Sequence, residues 1–459
     1  MNLECVYIAV CLAVVAGCGP GPLDDDYWPQ ASPLGRDLDA VRVPAEPTAV
    51  PLGPAFVEPR GELNLRTSLS AGLLHNPQLA SFAWNVRAQE AAIIQAGLYP
   101  NPEVAVEIEN FGGTDGFGGF GASETTIAIG QTILLGGKLE SRRQFARFER
   151  DLAGWDYEVA RVDVITRVGI EFVNTLTAQA HLAVARETAA LADQVFSAID
   201  QRVHAGKVSP VERTKARVDR AQSQRILLVA EREVVAARYR LAATWGSVTP
   251  SFVAAVGDLL SVSKPPALEE LLARIEDNPD LARWTTEMAA RRAAVTLARA
   301  DAVPDITPFG GVKLLDGADE TAFVAGIAMP IPAFDRNQGE ILEARLRGAQ
   351  GEALRRAAAL RVKTELVIVY QALDTAYLET VSLNTQVEPS AESALAAADE
   401  AFRQGKIGAL DLLDAQRTLF AVRRQSVDAH AAYHLAVVSI ERLIGGPLQP
   451  TTQHPGDKS

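Results

Sequence analysis

Cysteine is almost missing from this chain: of 459 residues only Cys5, Cys11 and Cys18 carry a thiol, and none follows residue 18. Past that point neither a disulfide nor a cysteine metal site can form. Methionine is as scarce, with Met288 and Met329 alone beyond the initiator, so a soft-metal relay of thioethers is excluded as well. Aromatic residues make up 6% of the chain, while alanine, leucine, arginine and glutamate abound, a balance that favours long helices and coiled coils over an all-β globule. Positive charge is in deficit: the net charge is −13 and no basic stripe interrupts it, which argues against a nucleic-acid partner. A glycine-rich phosphate loop, a nucleophile elbow and a readable Ser-His-Asp set are all absent, and with them the common enzyme signatures. His430 and His434 stand one helical turn apart in "HAAYH", without the glutamate that follows the first histidine of a zinc-protease motif, and read as a structural pair.

What is present begins with the apolar run "CVYIAVCLAVVAGC", too short to span a bilayer and the length of a signal-peptide core. Its end, "VVAGC", resembles a bacterial lipobox, with Ala16 and Gly17 before the cysteine that would become a lipidated N-terminus, Cys18. The preceding "MNLE" carries Glu4 and no lysine or arginine, a departure from the usual basic leader. Residues 1–17 are thus expected to be a lipoprotein signal peptide. Residues 18–60 are proline-rich and lack a helical period, the pattern of an extended tether. Residues 447–459 share that character and are expected to form a disordered tail.

Between tether and tail the sequence repeats itself. "HNPQLASFAW" at His75 returns as "DNPDLARWTT" at Asp277, and "HAGKVSPVERTKARV" at His204 returns as "RQGKIGALDLLDAQR" at Arg403. Residues 61–260 and 261–446 therefore share one plan. A first helix is expected over about Leu63 to Leu98, and its counterpart over about Leu268 to Ala300. Two short strands follow in each half. "EVAVEIENF" puts Val104, Val106 and Ile108 on one face and Glu103, Glu107 and Glu109 on the other, the period of a strand with one apolar side. "ETTIAIGQTIL" returns after a glycine-rich loop, and "DITPFGGVKLL" with "TAFVAGIAMPI" take the same places in the second half. Very long helices come next. In the second half Asp335 and Gln338 form a capping-box pattern, and helical periodicity runs on to Gln404 with an interruption expected at Pro389. Roughly 70 residues at ~1.5 Å each give about 100 Å. A glycine turn then reverses each chain into another long helix, the layout of a coiled coil.

Four strands per chain do not close a barrel. Two chains would give eight, largely filled by their own side chains, so an open conduit needs at least three chains and twelve strands. The expected fold is mainly α with a small membrane β-barrel: two tandem repeats of helix-strand-strand-long helix-helix, with a trimeric twelve-stranded barrel continued by an α-helical tube.

This duplicated plan, closed by "LDLLDAQRTLFAVRRQSVDAHAAYHLAVVSIERLIG", resembles the TolC-like outer-membrane efflux proteins over nearly everything from Leu63 to Gly445. "LYPNPEVAVEIENFGG", "ETTIAIGQTILLGGK", "AGKVSPVE" and "PIPAFDRNQGEI" are similar to the CzcC-type branch, the outer-membrane components of cobalt-zinc-cadmium efflux systems. The resemblance implies a lipid-anchored homotrimer in the outer membrane of a Gram-negative bacterium, its helices in the periplasm. It also implies a periplasmic adaptor, a proton-driven inner-membrane pump of the RND class as partners, and no cofactor. The tips that dock the adaptor fall on Gly206 and Lys207 and on Gly405 and Lys406. The acidic residues narrowing the periplasmic mouth correspond to Asp411, Asp414 and Glu212. Lys215 stands at the first-repeat position matching Asp414, and an arginine that locks the closed state in relatives would fall at Ile407, so this chain departs from the pattern twice.

Other readings remain at this level. The same conduit would serve drugs, organic solutes or type I secretion, because a passive channel stores little of its cargo in its sequence. A non-conducting coiled-coil lipoprotein scaffold explains the helices and Cys18 but not four strands in matching places. Read alone, Asp411 and Asp414 are neighbours on a solvated helix face.

Overall fold

The computed structural model describes residues 27–44 and 57–448. In chain order the elements are β1 (Gly61–Leu63), α1 (Leu65–His75), α2 (Pro77–Ala96), β2 (Glu103–Glu109), β3 (Glu124–Gly130), α3 (Lys138–His204) and α4 (Pro210–Ala243). Then come β4 (Phe252–Ala255), α5 (Leu268–Ala273), α6 (Pro279–Asp301), β5 (Thr307–Leu315), β6 (Glu320–Ala328), α7 (Gln338–Ser382), α8 (Glu388–Arg403) and α9 (Ala409–Ile444). Cys18 and the leader lie outside the described residues.

The single helix expected over Leu63 to Leu98 is two, and so is its counterpart. The break falls at the Asn-Pro pair that marks each repeat. Asn76 accepts the Leu79 N–H (2.9 Å) to start α2, and Asn278 accepts the Asp280 N–H (2.8 Å) to start α6. A proline follows each cap, where its missing N–H costs nothing. Each amide also reaches the far end of its own half: Asn76 Nδ2 donates to Thr244 O (2.8 Å) and Asn278 Nδ2 to Leu443 O (2.8 Å). One residue type thus begins a short helix and ties down the end of a long one.

β1 and β4 pair in parallel, and the other four strands form an antiparallel sheet in the order β2-β3-β5-β6, so the two hairpins join through β3 and β5. Cross-strand partners share a face. The register therefore gathers Val104, Val106 and Ile108 with Ile129, Ile127, Val312, Leu314, Phe323 and Ile327 on one side. The opposite side holds Glu103, Glu107 and Glu109, with Lys313 paired to Glu109 (3.2 Å) and to Glu124. Glycine is required at Gly311, where a Cβ would come within 2.2 Å of the Ile127 carbonyl on the adjoining strand. Among the described residues the sheet does not close: β2 and β6 each keep one unpaired edge.

α3 runs 67 residues without a break, about 100 Å at ~1.5 Å per residue. Its counterpart is continuous from α7 through a π-helical turn at Leu383–Val387 into α8, where Pro389 occupies the first turn. The expected capping box at Asp335 does not form. Asp335 accepts from Asn337 N (2.8 Å) and Gln338 from Arg336 N (2.8 Å), each one residue away from capping-box geometry, and the helix starts after Asn337. α9 packs against α3, α7 and α8, whereas α4 lies on α3 and hardly meets α9.

Residues 27–44, part of the stretch expected as an extended tether, instead pack against the core, with Ser32, Leu34 and Val43 buried. Leu34 and Val43 are buried among α1, α2 and α3, and Trp28 meets the Tyr157 ring at a tilt, with the Arg87 guanidinium over its own ring at 4.9 Å. Arg161 donates to both Glu158 oxygens (2.8 Å each) and to Leu34 O (2.8 Å), while Glu158 also accepts the Ser32 N–H at 2.6 Å. Proline-rich backbone has carbonyls to spare, and a buried guanidinium collects them. At the other end Pro447 and Leu448, assigned by sequence to the tail, are pinned by Arg274 through their carbonyls (2.5 and 3.1 Å).

Candidate functional site at the paired hairpin tips

Both hairpins turn by the same device. Lys207 N donates to Arg202 O (2.9 Å) and Gly206 N to Val203 O (3.0 Å); Lys406 N donates to Ala401 O (2.9 Å) and Gly405 N to Phe402 O (3.0 Å). These are Schellman closures, and they put Gly206 at φ 69° and Gly405 at φ 71°, the left-handed region that favours glycine. Lys207 and Lys406 follow, both exposed.

The two turns lie side by side because one apolar cluster underlies both. Val195 and Ile199 of α3, Ala216 of α4, Phe402 of α8 and Ala409, Leu412 and Leu413 of α9 are buried together. Ile407, the position where the resemblance would place an arginine, packs half-buried against this cluster. Arg202 fastens the turns to each other: its guanidinium lies 4.0 Å from the Phe402 ring centre and donates to Phe402 O at 3.0 Å. That arrangement satisfies a carbonyl at the end of α8 and sets a cation against a helix C-terminus.

The acidic residues sit just beyond. Asp411, in the first turn of α9, accepts the Gly408 N–H at 3.2 Å and so serves as part of the helix start. Asp414, one turn on, is exposed, and its carboxylate has no partner among the described residues. Glu212 occupies the matching first turn of α4, half-buried, with one oxygen shielded from solvent and unpartnered. Lys215 is exposed on the same helix. Asp411 and Asp414 lie on the exposed side of α9, with Leu412 and Leu413 turned inward between them. The tips are brought together; Asp411 and Asp414 share α9, while Glu212 stays on α4.

Sequence reasoning missed the ion pairs that brace this region. Arg417 donates to Asp219 from Nε (2.8 Å) and contacts it through Nη2 (2.7 Å), tying α9 to α4. Arg423 joins Glu187 of α3 (2.7 Å) to Glu392 of α8 (2.8 Å). His430 and His434 are each engaged apart, His430 Nδ1 with Ser426 O (2.7 Å) and His434 Nε2 with Leu259 O (2.9 Å). Among the described residues no group of three histidine, cysteine or carboxylate side chains is placed to hold a metal ion.

Long paired helices, turned at two adjoining tips and carrying at their other end a sheet with one largely apolar face, define the class of outer-membrane efflux channels. The outer membrane efflux protein family model matches residues 69–247 and 271–446, and the chain belongs to that family. It is similar to the cobalt-zinc-cadmium resistance protein CzcC of Cupriavidus metallidurans, 32% identical over 87% of this chain and 94% of that protein. The nickel-cobalt-cadmium resistance protein NccC of Alcaligenes xylosoxydans is 27% identical over 62% of this chain and 64% of its own length. Among solved structures, CusC aligns with a TM-score of 0.66 at 20% identity, covering 89% of this chain and 99% of that one. VceC of Vibrio cholerae aligns with a TM-score of 0.68 at 17% identity, covering 84% and 97%. The expected membership and its CzcC-like branch stand.

Proposed function

We propose that this chain is the outer-membrane channel of a tripartite, proton-driven efflux system of the RND class and exports divalent heavy-metal cations as a passive homotrimeric conduit. The observation that carries the reading is the sheet, whose register gathers most of the large apolar side chains on one face and the carboxylates on the other, and leaves one edge of β2 and one of β6 unpaired among the described residues. An apolar face suits a bilayer, but open edges do not, since hydrocarbon offers their N–H and C=O groups no partner. Pairing β2 of one copy with β6 of the next removes both edges, and three copies close a twelve-stranded barrel wide enough to conduct. The strand ends feed the long helices, which extend the conduit into the periplasm.

At the far end Asp411, Asp414 and Glu212 from three copies line the mouth, lowering the energy of a passing cation and repelling anions. The tips at Gly206, Lys207, Gly405 and Lys406 dock the periplasmic adaptor, and Cys18 carries the lipid anchor. Metal cargo is supported by the names of CzcC and NccC. A second reading, export of an organic solute, draws on the 25% identity to the pyoverdine export outer membrane protein OpmQ of Pseudomonas putida. A deletion strain separates them. Sensitivity to zinc, cobalt or cadmium, restored by the gene, supports metal efflux; unchanged metal tolerance with organic-solute sensitivity supports the other. In planar bilayers, Asp411→Ala with Asp414→Ala is expected to raise leak conductance, and an unchanged conductance and ion preference would count against the mouth assignment.

A further inference from the structure

The groove between α4 and α9 is bordered by charges that do not balance. Its volume is about 750 Å³, α3 forms its floor, and Val184, Ala185, Ile226, Val229, Phe420 and Ala421 give it apolar walls. Three carboxylates border it, and each is taken: Asp219 by Arg417, Glu233 by Arg240 and Asp428 by His181 (2.9 Å). Two further guanidiniums, those of Arg225 and Arg424, line it as well, and neither has a partner among the described residues. In a chain of net charge −13 this is a local surplus of cation.

The two arginines stand at one level. α4 and α9 leave the tip turns together and run back along α3, where Arg220 meets Asp193 and Arg423 meets Glu187 (2.7 Å). A little further along their helices, Arg225 and Arg424 therefore face the same turn of α3, beside Thr188. Back toward the tips from Arg424, two turns of α9 or about 12 Å away, lies Gln416. It is 2% exposed and lines the same groove, yet neither its Oε1 nor its Nε2 has a hydrogen-bond partner. A buried amide ordinarily finds partners within the protein; here a donor and an acceptor border a groove instead. Gln416 also borders a second groove, beside α8, but every arginine lining that one, Arg202, Arg403 and Arg423, is engaged.

We propose that the groove between α4 and α9 binds an organic anion with an apolar body about 12 Å long, its carboxylate or phosphate head held by Arg225 and Arg424 and its far end against Gln416. Guanidinium presents paired N–H groups that match either head. The apolar walls take up the body, and a cleft of this size with a few fixed polar groups is the usual form of a small-molecule site. A bare metal cation would meet uncompensated positive charge there, so the site is distinct from any path for metal cargo. It stands on the groove alone and does not depend on the channel reading.

Photo-crosslinking on the full-length protein in nanodiscs tests it, with a diazirine-bearing dodecanoate and mass-spectrometric mapping of the labelled peptides. Label is expected within 184–188, 226–230 and 420–424, saturable and competed by unlabelled dodecanoate or dodecyl phosphate, the stronger competitor naming the head. The methyl ester of dodecanoate is expected to compete at least ~10-fold less well, and Arg225→Gln with Arg424→Gln to weaken labelling by a similar factor. Both arginines are exposed, so this variant is expected to keep the thermal midpoint of the parent. The ω-hydroxy derivative of dodecanoate is expected to compete ~3-fold better than dodecanoate itself, an advantage that Gln416→Leu removes. Equal competition by the ester, or equal labelling of the arginine variant, overturns the site and leaves only an apolar surface that takes up any chain. Label confined to other peptides overturns it as well.

Discussion

Single side chains here repeatedly serve two distant partners, and that makes their loss costly. Asn278 starts α6 and holds the Leu443 carbonyl at the end of α9. Asn278→Ala is expected to lower stability by roughly 2 kcal/mol, the cap and the orphaned carbonyl together, read as a fall in the denaturation midpoint. Arg161 is the stronger case, being buried with Glu158 and holding the chain at Leu34. Arg161→Met leaves Glu158 buried beside an uncharged side chain and should cost at least ~3 kcal/mol, whereas a cost near zero would mean that residues 27–44 do not contribute to the core. His434 gives a pH dependence. Burial pushes its imidazole below the ordinary range near 6.5, and the neighbouring His430 acts in the same direction, against Leu259 O and Asp258. A histidine depressed in the folded state contributes stability above its unfolded pKa of ~6.5 and loses it as pH falls through the lower folded value. The melting temperature should therefore fall on acidification below about pH 6.5, and His434→Gln, which keeps a donor for Leu259 O without titrating, should flatten that limb.

Elements show how much of this was legible in the chain itself. The strands could be found because alternation survives wherever one face is apolar, and "EVAVEIE" alternates along β2. The glycine turns were legible from two matching strings, since a left-handed residue that ends a helix needs glycine. Gly405→Ala should cost about 1 kcal/mol and leave α9 helical by circular dichroism. The split of the first helix in each half was also written in the sequence as Asn-Pro, a cap followed by proline. It was hidden by continuous alanine-rich periodicity on both sides. Residues 27–44 were misread for a different reason: prolines and a missing period describe the chain's own conformation, not the buried arginine that receives it. Gly311 shows the same limit, because the need for glycine comes from Ile127 on a strand far away in sequence. Gly311→Val is expected to break the β3–β5 pairing, seen as a loss of β-sheet signal in the infrared amide I band.

At the scale of the whole molecule the repeat was the decisive feature, because a duplicated plan with strands in matching places constrains how copies assemble. If three copies share a barrel, light scattering in detergent should give three times the protein mass of the chain, and removal of either sheet edge should yield monomers. The sequence by itself determined the helical class, the four strands, the two glycine turns and the scarcity of thiol chemistry, all of which depend on composition and on local periods of two and near four residues. Only the tertiary structure decided that the two turns share one apolar floor and that Arg202, Asp219, Arg417 and Arg423 brace it. It also decided that Asp411 serves its own helix start while Asp414 stands free of partners among the described residues. Those contacts join residues up to 236 positions apart, and nothing local in the chain encodes which distant side chain will be met.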